Sequence, residues 1–407
     1  MNNQLRPHQQ RALDAMSTAD LGQIIVPTGG GKTFIMISHA KQLERGSTVI
    51  VVAPRILLAR QLCEDFRSQI DAKIFHAHSG YRGYQGGTDP NWIAQWWDTN
   101  KDYTRIIFTT YHSLHRVMEA QVYADVVYCD EAHNSCAKTF YDSIFELARF
   151  SGKRYYFTAT PRVSRKHSRG MHNEAVYGTI LCNVEAQELI KQGTILPPTI
   201  VPFETDGHYS KEKAHVHHAI TITNIIDELD DDKSSKVLVS VPKSRVLNDM
   251  LSRTILLNEL KDRGYHVLHV TSKFGAYVDG KKVSRSVFMN TLKEWGCDDS
   301  IRFVCFHYSI LSEGINVPGL THTILLRYLN VVEMAQTVGR VIRLHTEDRE
   351  KINNGELQPC EWAFYKKPTG YVTVPVHPKY GAHVVKRLQK VVDSIFIEGV
   401  PPISLIT

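Results

Sequence analysis

Three consecutive glycines followed by lysine and threonine stand between two apolar runs near the start of the chain. The segment reads Val26-Pro27-Thr28-Gly29-Gly30-Gly31-Lys32-Thr33, and it joins the short run 23–26 to the apolar run 34–37. A strand that enters a glycine loop and continues into a helix turns backbone N–H groups inward, around an anion at the positive end of the helix dipole. The segment therefore predicts an α/β fold with a phosphate site at the edge of a parallel sheet.

The same alternation of strand-like and helix-like segments continues along the whole chain. Short runs rich in β-branched residues alternate with amphipathic stretches of about ten to fifteen residues, which is typical of parallel α/β layers. The predicted strands are 23–26, 48–53, 105–109, 125–129 and 154–158 in the first half, and 236–241, 266–271, 302–307, 322–327 and 371–376 in the second. We therefore predict two sheets of about five strands, each mainly parallel and flanked by helices.

Paired prolines mark the predicted boundary between the two sheets. Pro197 and Pro198 follow the segment 193–196, and two adjacent prolines rule out a helix and favour an extended connector. We therefore expect a first domain of residues 1–197 and a second domain of residues 198–407.

Composition excludes several classes of protein. Apolar residues make up 43% of the chain and charged residues 22%, which is the usage of a globular protein and not of a disordered, collagen-like or coiled-coil chain. Because no apolar run is long enough to cross a bilayer and the first ten residues are polar, we expect a cytoplasmic protein with no membrane partner. The seven cysteines form no Cys-x-x-Cys pair, which argues against a disulfide framework or a zinc knuckle. The net charge of +6 permits a polyanionic partner without requiring one.

An acidic turn, Cys129-Asp130-Glu131-Ala132-His133, follows the predicted strand 125–129. Parallel sheets bind ligands at the carboxyl ends of their strands, which is also where the glycine loop would lie. There Lys32 would reach the β- and γ-phosphates of ATP, Thr33 and Asp130 would hold Mg²⁺, and Glu131 would orient and deprotonate the attacking water. An exposed acidic turn without function is the alternative, but the convergence of two elements on one edge favours nucleotide hydrolysis.

The motifs resemble, in kind and in order, those of superfamily 2 helicases and translocases of the DEAH-box kind, through nearly the whole chain. The resemblance implies two tandem RecA-like domains that use ATP and Mg²⁺, with the phosphates bound by the loop residues Thr28, Gly29, Gly30, Gly31, Lys32 and Thr33. Arg6 and Gln9 are similar to the family's adenine-reading element. Val26 departs from the strict glycine of the phosphate loop, where such motors usually carry alanine.

The resemblance also implies contacts to nucleic acid and residues that couple these contacts to hydrolysis. Two segments are similar to motifs that contact strand phosphates, and they contain Pro54, Arg55, Thr109 and Thr110. The coupling residues implied are His133, Thr158, Thr160 and Gln336. In the segment 309–318, Gly314 and Asn316 are similar to residues that bind the nucleotide next to the strand.

The segment 336–343 is similar to the family's arginine-finger motif. A cation delivered from the second domain would stabilise charge on the γ-phosphate and make hydrolysis depend on domain closure. Arg340 and Arg343 stand three residues apart on a predicted helix, which would present both guanidinium groups to the same side. A solvated basic helix end is the alternative, which the phosphate site of the first domain disfavours.

The resemblance implies an ATP-driven nucleic-acid motor that moves along or remodels DNA, in repair or recombination. DNA is preferred to RNA as the partner because the segment 155–162 and the connector Pro197-Pro198 look more like restriction-type and phage recombination motors. That likeness also suggests the cytoplasm of a prokaryotic or phage-infected cell. The alternatives are an ATP-gated nucleic-acid clamp or interaction subunit, an RNA helicase, and an ATPase that acts on proteins or small molecules.

Overall fold

The computed structural model describes residues 5–81, 83–164, 168–205, 210–229, 234–308, 317–327, 329–376, 381–396, 398–399 and 404–406. Contacts divide the chain into two compact units, Met1–Glu185 with Pro401–Thr407, and Ala186–Val400. The boundary lies between Glu185 and Ala186, and not after Pro197 as expected from the sequence. The connector belongs to the second unit, because the Leu196 N–H donates to the Ile342 carbonyl (2.7 Å).

Within the described residues, the first unit holds a seven-stranded sheet in which every pair of neighbours is parallel. Its strands in chain order are β1 (Leu21–Ile25), β2 (Thr48–Ala53), β3 (Lys73–Ala77), β4 (Arg105–Thr110), β5 (Ala124–Cys129), β6 (Ser151–Thr158) and β8 (Thr179–Asn183). Their order across the sheet is β3-β4-β2-β5-β6-β1-β8. A separate short pair joins β7 (Arg162–Ser164) to β17 (Ser404–Ile406) in parallel.

The helices of the first unit cover both faces of this sheet. They are α1 (Pro7–Ser17), α2 (Lys32–Ala40), α3 (Ile56–Arg67), α4 (Pro90–Thr99), α5 (Leu114–Glu119), α6 (Lys138–Glu146) and α7 (Glu174–Tyr177). Successive strand residues point to opposite faces. Thus Phe108 packs edge to face on Phe66 of α3 (5.7 Å between ring centroids), whereas its neighbour Ile107 joins the core cluster that contains Trp96 of α4.

Burial lowers the pKa of three histidines of the first unit, His39, His76 and His78, and we expect them to make its stability depend on pH. Burial lowers the pKa of His39 and His78 to about 4 and that of His76 to about 3. The unfolded chain takes up protons at these sites below the ordinary pKa of about 6.5, whereas the folded chain does not. The contribution of these histidines to the free energy of unfolding is therefore fully present above pH 6.5. It falls as the pH drops towards 4, by roughly 1 to 2 kcal/mol per histidine at pH 5.

Urea unfolding followed by circular dichroism at pH 7 and pH 5 measures this loss. The variant His39→Asn removes one of the three groups, so its stability should change less between the two pH values than that of the wild type. The exposed His115 supplies the matched control, His115→Asn. Equal pH dependence in all three proteins would contradict the expectation.

In the described part of the second unit, the sheet has eight strands in the order β13-β12-β11-β14-β10-β15-β16-β9. The strands are β9 (Pro198–Glu204), β10 (Lys236–Ser240), β11 (His266–Thr271), β12 (Gly275–Val278), β13 (Lys281–Val283), β14 (Phe303–His307), β15 (His322–Leu325) and β16 (Gly370–Val376). All neighbours from β11 to β9 are parallel, whereas the pairs β11–β12 and β12–β13 are antiparallel.

The helices of the second unit follow the same layered plan. They are α8 (Ala186–Lys191), α9 (Ala214–Glu228), α10 (Ser244–Arg253), α11 (Leu256–Asp262), α12 (Arg285–Cys297), α13 (Val331–Val341), α14 (Thr346–Asn353) and α15 (Gly381–Phe396). Ile222 of α9, Leu247 of α10 and Leu260 of α11 pack with Val239 and Phe306 of the sheet in one core cluster. None of the helices in the described ranges combines the length and apolarity needed to cross a membrane.

All ten predicted strands exist, but the expected count of about five per sheet is wrong. The strands that were missed in the two sheets lie at or next to a sheet edge: β3, β8, β9, β12 and β13. Edge strands expose one face or one ladder side, so their sequences are mixed rather than continuously apolar. β9 even contains Pro198 and Pro202, which an edge strand tolerates because it needs only one hydrogen-bonded side.

Candidate functional site

The glycine loop stands between β1 and α2, at the carboxyl end of the first unit's sheet. Gly31 is the N-cap of α2 and has a φ of +85°, a left-handed conformation that favours glycine. A Cβ at Gly31 would also lie 2.5 Å from the Nε2 atom of Gln9. The first N–H groups of α2 have no partner within the helix, so they can bind an anion. Thr28 lies half-buried in the loop, and Thr33 lies half-buried in the first turn of α2.

The acidic turn meets this loop from the neighbouring strand β5. Asp130 and Glu131 follow β5 directly, and the Lys32 ammonium lies 3.8 Å from Glu131 Oε1. Both side chains of this ion pair are largely buried, with 11% of Lys32 and 7% of Glu131 exposed. The Lys32 ammonium also donates to the Val26 carbonyl (3.4 Å). The structure thus brings together the lysine and the two carboxylates predicted from separate parts of the sequence.

Two carboxylate oxygens of the turn suit a divalent cation. Asp130 Oδ1 and Glu131 Oε2 are buried and have no hydrogen-bond partner among the described residues. Burial raises the pKa of Asp130 to about 7, with the Glu131 carboxylate adding to the effect and the Lys32 ammonium opposing it. Buried carboxylate oxygens without donors are hard ligands of the kind that Mg²⁺ prefers, so these residues fit the expected metal.

The backbone of the acidic turn is held in an uncommon conformation. Glu131 has a φ of +46°, which is rare for a residue other than glycine and occurs often at functional sites. The Asp130 N–H donates to the Val52 carbonyl of β2 (2.8 Å), and the Asp130 carbonyl accepts from the Tyr111 hydroxyl (2.8 Å). Tyr111 directly follows the predicted pair Thr109-Thr110, but its contact to the acidic turn was not predicted from the sequence.

A buried network joins the acidic turn to the end of β6. His133 Nδ1 lies 3.0 Å from Thr158 Oγ1, 3.2 Å from Thr160 Oγ1 and 3.6 Å from Glu131 Oε2. The Thr160 N–H donates to Thr158 Oγ1 (3.0 Å). Asn134 Nδ2 lies 3.2 Å from His133 Nε2. Three of the four residues predicted to couple hydrolysis to strand binding therefore touch one another.

The start of α1 packs against the glycine loop. Gln9 Oε1 accepts from the Arg6 N–H (3.0 Å), and Gln9 Nε2 lies 3.5 Å from the Gly30 carbonyl. His8 is fully buried, and its Nε2 lies 2.8 Å from the same carbonyl. The predicted adenine-reading pair therefore lies beside the phosphate loop. His8 is a further loop contact that was not singled out in the sequence, although it stands inside the same motif.

The predicted nucleic-acid contacts lie at the carboxyl ends of β2 and β4. Pro54 follows β2, and Arg55 is the N-cap of α3 with an extended backbone and no side-chain cap bond. Thr109 is completely buried and its hydroxyl donates to the Ala77 carbonyl (2.8 Å), while Thr110 is 4% exposed. At this edge, the N-terminus of α3 offers N–H groups to a ligand, whereas the two threonines offer little side-chain surface.

The remaining predicted residues belong to the second unit. Gly314 and Asn316 lie outside the described residues. Gln336 and Arg340 are buried on α13, with 5% and 3% exposed. The expectation that Arg340 and Arg343 share one helix is wrong, because α13 ends at Val341 and Arg343 lies beyond it.

Two parts of the sequence match families of known proteins. Residues 2–163 match the family described as "Type III restriction enzyme, res subunit", and residues 220–345 match "Helicase conserved C-terminal domain". No curated protein matches this sequence.

Solved structures share the fold at low sequence identity. The DNA-bound Type ISP restriction-modification enzyme LlaBIII matches with a TM-score of 0.70 at 16% identity, over 100% of this chain and 31% of LlaBIII. A nuclease-deletion mutant of LlaGI with a DNA substrate mimic matches with 0.56 at 18%, over 98% and 30%. S. cerevisiae Dbp5 bound to RNA and ADP BeF3 matches with 0.60 at 14%, over 100% and 90%. The chain spans about a third of the two restriction enzymes.

Proposed function

We propose that the chain is a superfamily 2 helicase with two RecA-like domains, and that it is an ATP-driven motor that translocates on or remodels DNA. The observation that carries the proposal is the buried group of Lys32, Asp130 and Glu131 beside the glycine loop. A lysine, a metal-binding carboxylate and a second carboxylate for water are the side chains that phosphoryl transfer to water requires.

The proposed roles follow from where each group lies. Loop N–H groups and Lys32 bind the phosphates of ATP, while Thr33 and Asp130 hold Mg²⁺, which would neutralise charge on the phosphate oxygens. Glu131 orients the attacking water and takes its proton. Gln9 contacts the adenine, with Arg6 as its neighbour. These roles rest on the geometry of the first unit and on the resemblance of each motif to the family.

Coupling between hydrolysis and nucleic acid is proposed to run through His133. Its ring lies within 3.6 Å of Glu131 and within hydrogen-bond distance of Thr158 and Thr160. A change in the charge or position of Glu131 would therefore alter the buried contacts of His133 with Thr158 and Thr160 at the end of β6. Gln336 is proposed as the fourth member on the basis of the resemblance alone.

The second domain is proposed to supply the remaining groups. Arg340 and Arg343 provide the cationic charge that stabilises the γ-phosphate during hydrolysis, and Gly314 and Asn316 contact the nucleotide. These assignments come from the motif resemblance. The proposed domains are an ATP-binding domain that carries the acidic turn and a helicase C-terminal domain that carries the arginines.

DNA is proposed as the substrate because the first domain matches the restriction-enzyme family. LlaBIII and LlaGI are described with DNA or a DNA mimic, whereas Dbp5 is described with RNA. Pro54, Arg55 and the N-terminus of α3 are proposed to contact strand phosphates, and Thr109 and Thr110 contribute through their backbone. An RNA motor is the second candidate, because the likeness to Dbp5 covers nearly all of both chains.

The ATPase rate separates these candidates when it is measured without nucleic acid and with single-stranded DNA, duplex DNA, branched DNA and RNA. We expect DNA to raise turnover several-fold and RNA to raise it less. Because phosphate contacts release counterions, binding should weaken steeply with salt and vary little with base sequence. Stronger stimulation of ATP turnover by RNA would indicate that RNA, and not DNA, is the substrate. ATP turnover that no nucleic acid changes would contradict the proposed motor function.

A travelling motor differs from an ATP-gated clamp in one further measurement. Displacement of a protein block or of a third strand from duplex DNA requires movement, whereas a clamp only binds and releases. We expect ATP-dependent displacement that disappears in Glu131→Gln. Nucleic-acid binding that responds to ATP without any displacement would favour the clamp.

A further inference from the structure

A pocket of about 130 Å³ lies at the amino-terminal edge of the sheet in the second unit. Its walls come from the starts of three parallel strands and from two later loops: Ser234, Lys236, Asp299, Gly319, Thr321, His345, Lys366, Lys367, Pro368, Thr369 and Tyr371. Lys236 begins β10, Thr321 precedes β15, and Thr369 precedes β16. The pocket therefore lies at the opposite end of these strands from the edge where α10 and α13 begin.

The ionisable side chains that line the pocket are mostly cationic. The lining contains three lysines, Lys236, Lys366 and Lys367, and one carboxylate, that of Asp299. The Lys236 side chain is only 1% exposed, and Lys367 is 6% exposed. Buried ammonium groups are costly unless an anion is near, so this arrangement needs negative charge.

The carboxylate of Asp299 does not meet this need. Its Oδ2 accepts from the Lys366 ammonium (2.5 Å), and its Oδ1 accepts from His345 Nε2 (2.9 Å). The Lys236 ammonium lies 3.5 Å from Oδ1, which is longer than an ordinary N–H···O bond. Among the described residues, Asp299 is the only ion-pair partner of Lys236.

Two neighbouring acids outside the lining serve Lys366 and the backbone, and neither forms an ion pair with Lys236 among the described residues. Glu347 pairs with Lys366 (3.1 Å), and the buried Asp348 accepts the backbone N–H groups of Lys366 and Lys367 (2.8 and 3.0 Å). Burial lowers the pKa of Lys236 against the pull of Asp299. Burial also lowers the pKa of Lys367 to about 7, and the positive charges of Arg343 and Lys236 add to this effect against Asp348. In both cases the largest cause is burial, that is, the loss of solvent around the ammonium group.

We propose that this pocket, lined by Lys236, Lys366 and Lys367, binds a phosphate-class oxyanion, either free or as the terminal phosphate of a larger molecule. A dianion would receive hydrogen bonds from the ammonium groups and would neutralise the charge that Asp299 leaves unbalanced. The site is separate from the proposed ATP site, whose residues in the first unit are named above.

The size of the pocket limits the ligand. A volume of about 130 Å³ has room for a small ligand such as a tetrahedral anion of five heavy atoms. Pockets that enclose drug-sized ligands begin at roughly 300 Å³. A nucleotide base or sugar therefore stays outside, and only its phosphate enters.

The pocket is joined to the helix that carries Arg340. The Lys367 ammonium donates to the carbonyls of Val341 (2.5 Å) and Arg343 (2.8 Å), at the C-terminal end of α13. Gly370 allows this close packing, because a Cβ there would lie 2.4 Å from the Val341 carbonyl oxygen. An anion bound beside Lys367 would therefore lie close to the C-terminal end of α13.

Isothermal titration calorimetry with inorganic phosphate, at constant ionic strength, tests the proposal. The full chain carries Lys32→Ala throughout, which removes the phosphate-binding lysine of the first unit. Lys236→Met deletes one buried ammonium group while Lys366 and His345 still pair with Asp299, so the fold should persist. Lys281→Met, at an exposed position on β13, is the matched control.

We expect phosphate to bind the Lys32→Ala chain and the Lys281→Met control equally, and to bind Lys236→Met at least about tenfold more weakly. Lys366→Gln, as a second variant, should weaken binding in the same direction. Absence of phosphate binding tighter than about 1 mM, or equal affinity in Lys236→Met, would overturn the site.

A dinucleotide with a 5′-phosphate and the same dinucleotide without it distinguish the two sources of the anion. Weaker binding to Lys236→Met by the phosphorylated form alone supports a terminal phosphate, and binding by inorganic phosphate alone supports a free anion. Equal, Lys236-dependent binding of the unphosphorylated form would contradict the proposal. None of these binding measurements depends on ATP hydrolysis. They can therefore contradict the anion site without contradicting the proposed motor function, and the reverse.

Discussion

Lys32→Ala is expected to weaken ATP binding and abolish turnover, whereas Glu131→Gln is expected to retain ATP binding and lose hydrolysis. The lysine contributes to ground-state binding of the phosphates, but the carboxylate acts on the attacking water. Loss of a general base costs about 10²- to 10⁴-fold in rate. Equilibrium binding of a fluorescent ATP analogue and steady-state phosphate release measure the two effects separately.

Matched controls exist on the surface of the same unit. Lys41 at the end of α2 and Glu146 at the end of α6 are both exposed, so Lys41→Ala and Glu146→Gln should leave binding and turnover unchanged. Lys32→Ala also removes the cation 3.8 Å from Glu131, so its thermal stability has to be compared with that of the wild type. Equal loss of ATP affinity in Lys32→Ala and Glu131→Gln would contradict the separate roles.

Arg340→Ala is expected to lower ATP turnover by about 10³-fold or more while changing ATP affinity much less, as for other arginines that act on a transferring phosphoryl group. Arg343→Ala should act in the same direction. Burial lowers the pKa of Arg343 to about 10, with the positive charge of Arg349 adding to the effect. Phosphate release in the presence of DNA, together with ATP binding, measures the separation.

Both arginine variants should leave the C-terminal end of α13 intact. Lys367 binds the backbone carbonyls of Val341 and Arg343, so truncation of either arginine side chain leaves these hydrogen bonds in place. The exposed Arg349 on α14 provides the control Arg349→Ala, which should retain turnover. Full hydrolysis by Arg340→Ala and Arg343→Ala would remove the need for a cation from the second domain.

Local patterns predicted much of the first unit because the interactions that specify them are local. A strand, a glycine loop and a helix are consecutive in sequence, so the positive φ of Gly31 and the start of α2 need no distant partner. The acidic turn likewise follows its own strand, β5. The α/β fold with two mainly parallel sheets is confirmed, and residues 2–163 and 220–345 match a restriction-enzyme and a helicase family model, whereas the roles of individual site residues stay predictions.

Contacts between distant segments decided the rest. The edge strands lack continuous apolar runs. They form only because a neighbouring strand supplies backbone hydrogen-bond partners, as β16 does for β9. Thr109 turns inward because Ala77 on β3 supplies an acceptor, and β3 was itself missed. The end of α13 at Val341 is bound by a lysine 26 residues away.

The fold class and the order of the motifs could be predicted from the sequence because each is specified by neighbours along the chain, whereas the contact between the glycine loop and the acidic turn joins distant segments. Only the tertiary structure decided which groups are buried together. Lys236, Asp299 and Lys366 belong to no common motif, and they meet because parallel strands bring their amino ends to one edge. Burial then shifts the pKa values of these groups, since the free-energy cost of burying a charged ammonium group depends on the solvent it loses and the anions around it.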